Sequence, residues 1–473
     1  MNTEKLLADE HCIGLFGDER FSKNGILLFK RMIERKTVCL RQLSDKRSEQ
    51  KQYHRFLESP NVTWQEILRH GSARTAKAAI GRHVLAIQDT SEFDFSPHRR
   101  RTAGLGPTSG GKGYGLFLHP VLAVDALNHD CLGIAHLSTW VRDDSDQPKR
   151  SRRPIEEKES MHWLDGALGA ARCLQQAAMV TVVADRESDI YEEWDRVPDE
   201  RVHLLTRAHY DRQIEGGGTV CQWLEKQPVK STIVLNVPAR AASKAYHSAG
   251  GARTKARTAH EAHADIRFGQ VKIKRPQGCH AKQASIALSV VEVRERPETV
   301  PEGEESVHWI LLTTHHVQQV EQALQIVAWY EQRWQIEQLF RTLKKQGFDL
   351  ESSQLEQSEE LLKLTTIATL AAVRTLQLVN ARDNQTDQPA SDAFDDEEIE
   401  VLGKLQEKLE GKTAKLKNQF VTRSMAWAAW IIARLGGWTG YASEAKAGPI
   451  TMLHGLQRFD GMMQGWRLAR LWV

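Results

Sequence analysis

The chain has 473 residues, and its 64 Lys and Arg residues against 61 Asp and Glu residues give a formal net charge of +3 at neutral pH. That length is typical of about two to four domains with a sizeable buried core. The absence of any run of about eighteen apolar residues, together with a polar N-terminal segment, predicts a cytoplasmic protein without a membrane span or a secretory signal. The 6 cysteines are scattered without a Cys-x-x-Cys pair, which argues against a zinc ribbon and against a disulfide framework.

Residues 1 to about 70 are predicted to form a helical N-terminal domain. Apolar side chains recur there at helical spacing, as at Phe29, Met32 and Ile33. The segment from Thr63 to Glu66 resembles a capping box, which marks the start of a further helix. Basic side chains lie among the apolar ones, namely Arg20, Lys23, Lys30 and Arg31.

Two short apolar runs in the middle of the chain are each followed by an aspartate. The run from Val84 to Ile87 leads to Asp89, and the run from Val180 to Ala184 ends at Asp185. Branched apolar runs of this length are typical of buried strands. An ionised carboxylate at the end of such a strand costs on the order of several kcal/mol of desolvation if it is buried without a partner. Metal coordination would offset that cost.

The order of elements between residues 71 and 360 predicts a mixed α/β sheet covered by helices. Strands are predicted near 84–89, 117–126, 131–141, 180–185 and 202–208, with a helix near 159–177. The segment from about 210 to 308 holds alternating apolar stretches and is predicted to be a strand-rich insertion. Trp309 begins the strand by which the chain returns to the sheet, and periodicity alone favours a core position for its ring.

The segment YEQRWQIEQLFRTLK is predicted to be a helix with one charged face. Five side chains recur there at spacings of three and four residues, which places them above one another: Tyr330, Arg333, Glu337, Arg341 and Lys344. Apolar residues lie on the adjoining face. The plain alternative is a solvated ladder of ion pairs, each worth about 0.3–0.5 kcal/mol.

Asp89, Asp185 and Glu337 are far apart in sequence, yet two strand ends and one helix can bring three carboxylates together. Carboxylate oxygens are the ligands that Mg²⁺ prefers. Two such ions about 3.5–4 Å apart suit phosphodiester cleavage and transfer. If either strand ends elsewhere, three neighbouring acids are alternatives, namely Glu92 and Asp94 for Asp89 and Asp189 for Asp185.

These residues resemble the cut-and-paste bacterial transposases that carry an Asp-Asp-Glu triad and the helix signature Tyr-x2-Arg-x3-Glu-x6-Lys. Tyr330, Arg333, Glu337 and Lys344 match that signature at every spacing. The resemblance extends over nearly the whole chain. Further similar stretches are GDER from Gly17, IQDT ending at Thr90, ADRESDI from Ala184, HWILLT from His308 and ARLGGW from Ala433.

The resemblance implies a ribonuclease-H-like fold in which Asp89, Asp185 and Glu337 are the catalytic residues and hold two Mg²⁺ ions, for which Mn²⁺ can substitute. It implies that Trp309 stacks on a base flipped out of the duplex, at a gain of about 1–3 kcal/mol. Tyr330 and Arg333 would then hold the neighbouring phosphate. The other DNA contacts implied are Arg341 and Lys344 on the signature helix, with Arg20 and Lys23 in the N-terminal domain.

Basic runs support DNA as the partner. They lie at 98–101, at 149–153 and across 240–275, and an acidic run from Asp395 offsets them in the total charge. Residues 361–473 are predicted to form a helical C-terminal domain, with an amphipathic helix over 361–381, a linker over 383–400 and an aromatic-rich helix from Met425 to Leu435. In the resembled family this region forms the homodimer.

The predicted function is a DNA transposase that binds the inverted-repeat ends of its element, excises it through a hairpin intermediate and joins it to target DNA. Two alternatives stay open. One is a structure-directed DNA nuclease of the same fold that cleaves without joining. The other is a catalytically silent DNA-binding inhibitor of transposition.

Overall fold

The computed structural model describes residues 12–96, 102–109, 113–143, 154–240, 255–344, 347–382, 388–441 and 446–470. From residue 12 onward, four described helices precede the first strand: α1 (Glu19–Arg35), α2 (Leu40–Leu43), α3 (Arg47–Glu58) and α4 (Trp64–Ala78). Helix α1 starts where the Asp18 side chain accepts a hydrogen bond from the backbone N–H of Arg20. Its buried face includes Leu28, Phe29 and Met32, as the helical spacing predicts.

A single large sheet forms the centre of the protein. Its strands are β1 (His83–Gln88), β2 (Ser91–Asp94), β3 (Gly106–Pro107), β4 (Tyr114–Asp125), β5 (Cys131–Trp140), β6 (Met179–Ala184), β7 (Val202–Arg207), β8 (Ser231–Val237), β9 (His260–Lys274), β10 (Ser285–Glu295) and β11 (His308–Thr313). The order across the sheet is β2-β4-β1-β6-β7-β11-β10-β9-β8, with β3 and β5 also paired to β4. Strands β1, β6 and β7 are parallel to one another, and the other pairs are antiparallel.

The predicted mixed α/β sheet is therefore confirmed, and the predicted strands lie within a few residues of β1, β4, β5, β6 and β7. Strand β2 was not predicted; it pairs with β4 directly after Asp89. The strand-rich segment adds β8, β9 and β10 to the same sheet, beyond β11. Trp309 lies in β11, which pairs with β7 and so returns the chain to the sheet as predicted.

Helices cover both faces of the sheet because its strands are apolar on both sides. In β1, Leu85 and Ile87 belong to one core, whereas Val84 and Ala86 belong to the other. The helices between strands are α5 (Met161–Cys173), α6 (Tyr191–Arg196) and α7 (Val220–Glu225). After β11 come α8 (Val320–Glu331) and α9 (Trp334–Leu343), and α8 packs against β6 and β10.

The C-terminal region holds α10 (Ser358–Ala381), α11 (Asp396–Leu409), α12 (Met425–Leu435) and α13 (Pro449–Arg470). The prediction that α10 is amphipathic is wrong, because buried residues lie all round it, against β5, α1, α4, α9, α12 and α13. Within the described ranges α10 alone is long and apolar enough to cross a membrane, but a buried core helix passes the same test.

The prediction of a linker over 383–400 is wrong for its described end. Helix α11 begins at Asp396, and Asp395 caps it by accepting a hydrogen bond of 2.8 Å from the Glu398 backbone N–H. The Glu398 side chain in turn accepts a hydrogen bond of 2.9 Å from the backbone N–H of Asp395, which completes a capping box. Residues 383–387 lie outside the described part of the chain.

Two histidines contact one hydroxyl near the ends of the strands opposite to Asp89, and a third histidine stacks on one of them. The Thr181 Oγ1 lies 2.8 Å from His83 Nε2 and 2.7 Å from His315 Nε2, and the ring of His203 stacks on that of His315 at 4.0 Å. Burial, followed by the neighbouring imidazoles, lowers the pKa of His315 to about 3; burial and His203 lower the pKa of His83 to about 4.

The histidine cluster predicts a loss of stability in mild acid. The unfolded chain binds a proton at each imidazole near pH 6.5, whereas the folded cluster stays neutral, so the free energy of unfolding should decrease as the pH falls from about 6.5 to about 4. Calorimetry of a His315→Gln variant, which keeps a hydrogen-bonding group but cannot titrate there, should show a shallower dependence of the unfolding temperature on pH. An identical dependence in the variant would contradict this expectation.

Candidate active site at the strand ends

Asp89 and Asp185 lie at the same level on neighbouring strands. In the parallel pair of β1 and β6, Ile87 is opposite Val183, and continuing that register by two residues sets Asp89 opposite Asp185. Each follows the carboxyl end of its strand, where side chains emerge from the core at one edge of a sheet. The apolar runs therefore end where the chain reaches this edge, and the two carboxylates come together there.

Repulsion and burial act on Asp89. Burial raises the pKa of Asp89 to about 7, with the charge of Asp185 adding to the rise, and Arg333 and the Thr90 backbone N–H oppose it. Asp185 is held differently, since its Oδ1 accepts a hydrogen bond of 2.7 Å from the backbone N–H of Glu187 in the 3-10 turn that follows β6. Ionising both aspartates is therefore unfavourable in the free protein, and a bound cation would stabilise the two negative charges.

The guanidinium of Arg333 joins Asp89 to Glu337. Its Nη1 donates to Asp89 Oδ2 at 3.2 Å, and its Nη2 donates to Glu337 Oε1. The Glu337 side chain is 54% exposed, whereas that of Asp89 is 17% exposed. Burial alone would lower the pKa of Arg333, but Tyr330, Glu337 and Asp89 together raise it. The structure thus brings the three predicted acids into one region, with the arginine between two of them.

The signature segment is not one uninterrupted helix as predicted. Helix α8 ends at Glu331, and the backbone N–H groups of Gln332 and Arg333 bond three residues back, to Trp329 and Tyr330. Helix α9 begins at Trp334. This tightened turn sets Arg333 at a helix boundary and Glu337 in the first turn of the next helix. Lys344 caps the end of α9 in an extended conformation, with its Nζ 5.3 Å from the centre of the Phe93 ring.

Tyr330 is buried beside the acids, next to the half-buried side chains of Trp309 and Arg207. The rings of Trp309 and Tyr330 meet edge to face at 5.4 Å, and the guanidinium of Arg207 lies near enough to the Tyr330 hydroxyl to oppose the rise of its pKa. Burial raises the pKa of the Tyr330 hydroxyl and lowers that of Arg207. One side of the half-buried Trp309 ring packs against the core, as the periodicity of the sequence predicts.

Arg207 was missed by the sequence analysis. It ends β7, and because Ala184 pairs with Thr206 in the parallel pair of β6 and β7, the next position sets Arg207 opposite Asp185. Its guanidinium donates to the backbone oxygen of His308 at 2.9 Å, and nearby Arg186 and Arg333 lower its pKa further. From the sequence, only its place near the end of the predicted strand 202–208 was visible, because the register that sets it opposite Asp185 is fixed by the sheet.

A cleft of about 610 Å³ opens next to Trp309. It lies between the start of β11, the end of β8 and the segment just before β9. Its cationic lining residues are Arg186, Arg207, Arg240, Lys255 and Arg257, and three glutamates line it as well, namely Glu304, Glu305 and Glu331. The cations outnumber the carboxylates, so a phosphate group would find cationic partners there.

The three alternative acids have other partners. Glu92 Oε2 accepts a hydrogen bond of 2.7 Å from the backbone N–H of Ser109, and Asp94 Oδ1 accepts one of 2.8 Å from the backbone N–H of Ser96. Asp189 forms a buried ion pair of 2.7 Å with Arg212. These contacts satisfy the three carboxylates within the fold, whereas Asp89 and Asp185 lie at the strand ends facing each other.

The remaining predicted DNA contacts lie on other surfaces. Arg20 and Lys23 are exposed on α1, where they pair with Asp18 at 2.9 Å and with Glu19 at 2.7 Å. Helix α1 packs against α10 and α13. Arg341 is exposed in the last turn of α9. The basic runs at 98–101 and 149–153, and part of the run across 240–275, lie outside the described residues.

The donor chemistry fits a hard divalent cation at the two aspartates. Asp89 and Asp185 offer carboxylate oxygens whose mutual repulsion a cation would relieve. Among the described residues, however, no three Asp, Glu, His or Cys side chains converge closely enough to bind one ion together. Glu337 is directed to Arg333 instead.

The sheet and its acids define an α/β enzyme with a carboxylate and arginine site at the ends of parallel strands. Residues 98–374 match the family described as Transposase DDE domain. Because this stretch is more than half of the 473 residues, the chain belongs to that family and is a DNA transposase, an enzyme that cleaves DNA and transfers strands. The stretch contains Asp185 and Glu337 and begins just after Asp89.

One similar solved structure is the cryo-EM structure of the piggyBac transposase synaptic complex with hairpin DNA. The similarity covers 93% of this chain and 75% of that chain, with a TM-score of 0.36 and 8% sequence identity. The predicted resemblance to transposases with an Asp-Asp-Glu triad is confirmed by the family match alone.

Proposed function

We propose that this transposase binds the inverted-repeat ends of its own element, excises the element through a hairpin intermediate and joins it to target DNA. The observation that carries the proposal is the register of β1 and β6, which sets Asp89 opposite Asp185 within reach of Arg333 and Glu337. Burial and mutual repulsion make this pair of carboxylates unfavourable without a cation, which favours a role in metal-assisted phosphoryl transfer.

Asp89, Asp185 and Glu337 would hold two Mg²⁺ ions, or Mn²⁺ in their place. The bound ions would activate the attacking water or hydroxyl and stabilise the leaving oxygen. Arg333 neutralises two of these acids, and a DNA phosphate is the natural competing partner for its guanidinium because the two bind in a bidentate manner. DNA binding would in this way free Glu337 for its role.

The neighbouring cations would position the DNA. Arg207 lies beside Asp185 and Tyr330, where its charge can hold a phosphate next to the acids. Arg341 and Lys344 would bind the DNA backbone further from the acids. In the N-terminal domain, Arg20 and Lys23 would contact the DNA of the transposon end. These contacts determine where the DNA lies and leave the chemistry to the acids.

The finer family assignment is part of the proposal. We propose that the chain is similar to the transposase of the composite transposon that carries kanamycin resistance, because it shares the signature and the ordered stretches, and that strands β1, β4, β5, β6 and β7 with α9 form a ribonuclease-H-like catalytic domain. The domains would be 1–70, 71–360 with an insertion at about 210–308, and 361–473. Pairing of two ends would require a homodimer formed by the C-terminal helices, in the bacterial cytoplasm beside the chromosome.

Trp309 provides a separate prediction about the hairpin. Its half-buried ring lines the basic cleft, so a flipped base could stack on it next to Tyr330. We expect Trp309→Ala to leave the first nick largely intact and to reduce hairpin formation by about 10-fold or more, since a stacked base is worth about 1–3 kcal/mol. Denaturing gels of end-labelled DNA would separate nick from hairpin. Trp309→Phe is the matched control, and equal loss of both products would contradict a role in base stacking.

The proposal is tested with a plasmid that carries the DNA flanking the gene for this chain. Purified protein with Mg²⁺ should release linear DNA with hairpin ends, and chelation should abolish the product. Nicking without paired-end excision would favour the structure-directed nuclease. Sequence-specific binding without any cut, in Mg²⁺ or Mn²⁺, would favour the silent inhibitor.

A further inference from the structure

A buried chain of polar side chains connects the turns that follow β1 and β6. Gln88 Nε2 donates to Glu193 Oε1 at 2.9 Å, and Ser188 Oγ donates to Glu193 Oε2 at 2.5 Å. On the other side, His119 Nε2 lies 3.3 Å from Gln88 Oε1, and His119 Nδ1 lies 2.8 Å from Thr90 Oγ1. Gln88, His119, Ser188 and Glu193 are all fully buried.

The donors and acceptors of this chain fit one arrangement. The Gln88 amide donates its N–H to the Glu193 carboxylate, so its oxygen is left to accept from His119 Nε2–H. The other nitrogen, His119 Nδ1, then accepts the hydroxyl hydrogen of Thr90. The imidazole is neutral in this arrangement, and burial accordingly lowers the pKa of His119 to about 3.

The two ends of the chain reach the catalytic aspartates. Thr90 donates its backbone N–H to Asp89 Oδ1 at 2.8 Å. Ser188 ends the 3-10 turn that Asp185 caps, so the hydroxyl that binds Glu193 belongs to the same turn that holds the Asp185 carboxylate. The network therefore spans both strand ends beneath the carboxylates.

The surrounding core leaves this network no freedom to rearrange. Helix α5 approaches it at Gly166, where an added Cβ would lie 2.7 Å from Gln88 Oε1 and 2.9 Å from His119 Nε2. Trp163, from the same helix, meets the His119 ring edge to face at 4.8 Å. Buried, mutually satisfied hydrogen bonds under such packing hold a single geometry.

We infer that Gln88, Glu193 and His119 are positioning residues that fix the separation of Asp89 and Asp185 and so determine the affinity of the site for divalent cations. The inference rests on the proposed role of those aspartates as metal ligands. Side chains that orient ligands without touching the metal change its affinity by about 10- to 100-fold when they are removed. None of the three residues is required to contact DNA or an ion.

The test exchanges the acid and the amide across the Gln88 to Glu193 contact. Gln88→Glu alone sets two carboxylates against each other, whereas the double variant Gln88→Glu/Glu193→Gln restores every hydrogen bond. In the double variant the carboxylate, now on β1, would accept from His119 and from the amide N–H on α6, and the oxygen of that amide would accept from Ser188.

The probe is Mn²⁺ alone, with binding to the full chain measured by electron paramagnetic resonance. Ser289→Ala, which removes a buried hydroxyl bonded to Val317 at 3.1 Å, is the control for general destabilisation.

We expect Gln88→Glu and Glu193→Ala each to raise the Mn²⁺ concentration for half-saturation about 10-fold or more. In the double variant this concentration should return to within about threefold of the wild-type value, and in Ser289→Ala it should equal the wild-type value. Ser188→Ala, which removes one hydrogen bond, gives a milder variant if a single change prevents folding. Unchanged Mn²⁺ affinity in folded Ser188→Ala and Glu193→Ala proteins, or a double variant as weak as Gln88→Glu, would overturn the inference.

Asp185→Ala separates this inference from the proposed function. If Asp185→Ala abolishes Mn²⁺ binding while the network variants leave it unchanged, the metal site stands and the positioning role fails. If Asp185→Ala binds Mn²⁺ as the wild type does, or if the wild type binds none, the metal site itself is wrong and the inference fails with it.

Discussion

Replacing Asp185 or Asp89 by asparagine is expected to reduce Mg²⁺-dependent cleavage by about 10³-fold or more, with the affinity for end DNA kept within about threefold. If the two carboxylates hold the metal as proposed, the loss follows from removing one charged ligand of a pair that the register of β1 and β6 sets opposite each other. Cleavage rates on labelled end DNA and binding measured in Ca²⁺ would separate the two effects.

The variant at Asp89 should also be more stable than the wild type. Burial and Asp185 raise the pKa of Asp89 to about 7, so ionising it above that pH costs folding free energy. At pH 8, Asp89→Asn should therefore raise the free energy of unfolding by on the order of 1–2 kcal/mol. Glu92→Gln is the matched control, because its carboxylate binds the Ser109 N–H instead. A variant at Asp89 that still cleaves at the wild-type rate would remove Asp89 from the site.

Arg333→Ala should have the second largest effect, because this guanidinium neutralises Asp89 and Glu337 together. Without it the repulsion between Asp89 and Asp185 is left uncompensated, and the free energy of unfolding should decrease by about 1–3 kcal/mol at neutral pH. If Arg333 also binds a DNA phosphate as proposed, cleavage should fall by about 10²-fold or more. Chemical denaturation and single-turnover cleavage would measure the two effects.

Two variants sharpen the test of Arg333. Arg333→Lys should not restore cleavage, since a single ammonium group cannot bridge two carboxylates as the planar guanidinium does. Arg341→Ala, an exposed arginine two turns later, should weaken DNA binding by no more than about 10-fold and leave the free energy of unfolding unchanged. Equal effects of Arg333→Ala and Arg341→Ala would show that both are merely DNA-backbone contacts.

Sequence reasoning located the strand ends because an apolar run cannot continue through an ionised carboxylate. The runs before Asp89 and Asp185 correspond to β1 and β6 within a residue. Their pairing in register was beyond the sequence, because it depends on crossover connections through α5 and the large sheet. The network of Gln88, His119 and Glu193 was also missed, since its members share no spacing in the chain.

Tertiary contacts override local propensity at a helix boundary and on a helix face. Nothing in the residues around Gln332 breaks a helix, yet the chain turns there and Arg333 contacts Asp89, distant in sequence. Helix α10 was predicted to be amphipathic, which would leave its threonines on a polar face. Thr366 and Thr369 instead donate to backbone oxygens four residues earlier at 2.8 Å, which lets them be buried.

The start of α11 could have been recognised. The pattern of Asp395 followed three residues later by Glu398 is a capping signal, but the acidic composition around it favoured a linker. The buried Lys363 could not have been recognised, since its ammonium donates to the backbone oxygens of Leu57 and Ser59 at 2.8 and 3.0 Å, on a different helix end.

The parallel pairing of β1 with β6 fixes the distance between the backbone positions of the two aspartates. Neighbouring strands lie about 4.8 Å apart whatever side chains they carry, so this spacing survives extensive sequence divergence elsewhere in the chain. A one-residue deletion within β1 would turn Asp89 to the opposite face of the sheet, although no side chain of the site had been replaced. An engineer who recombines this enzyme with a relative should therefore inherit β1 and β6 from one parent as a unit.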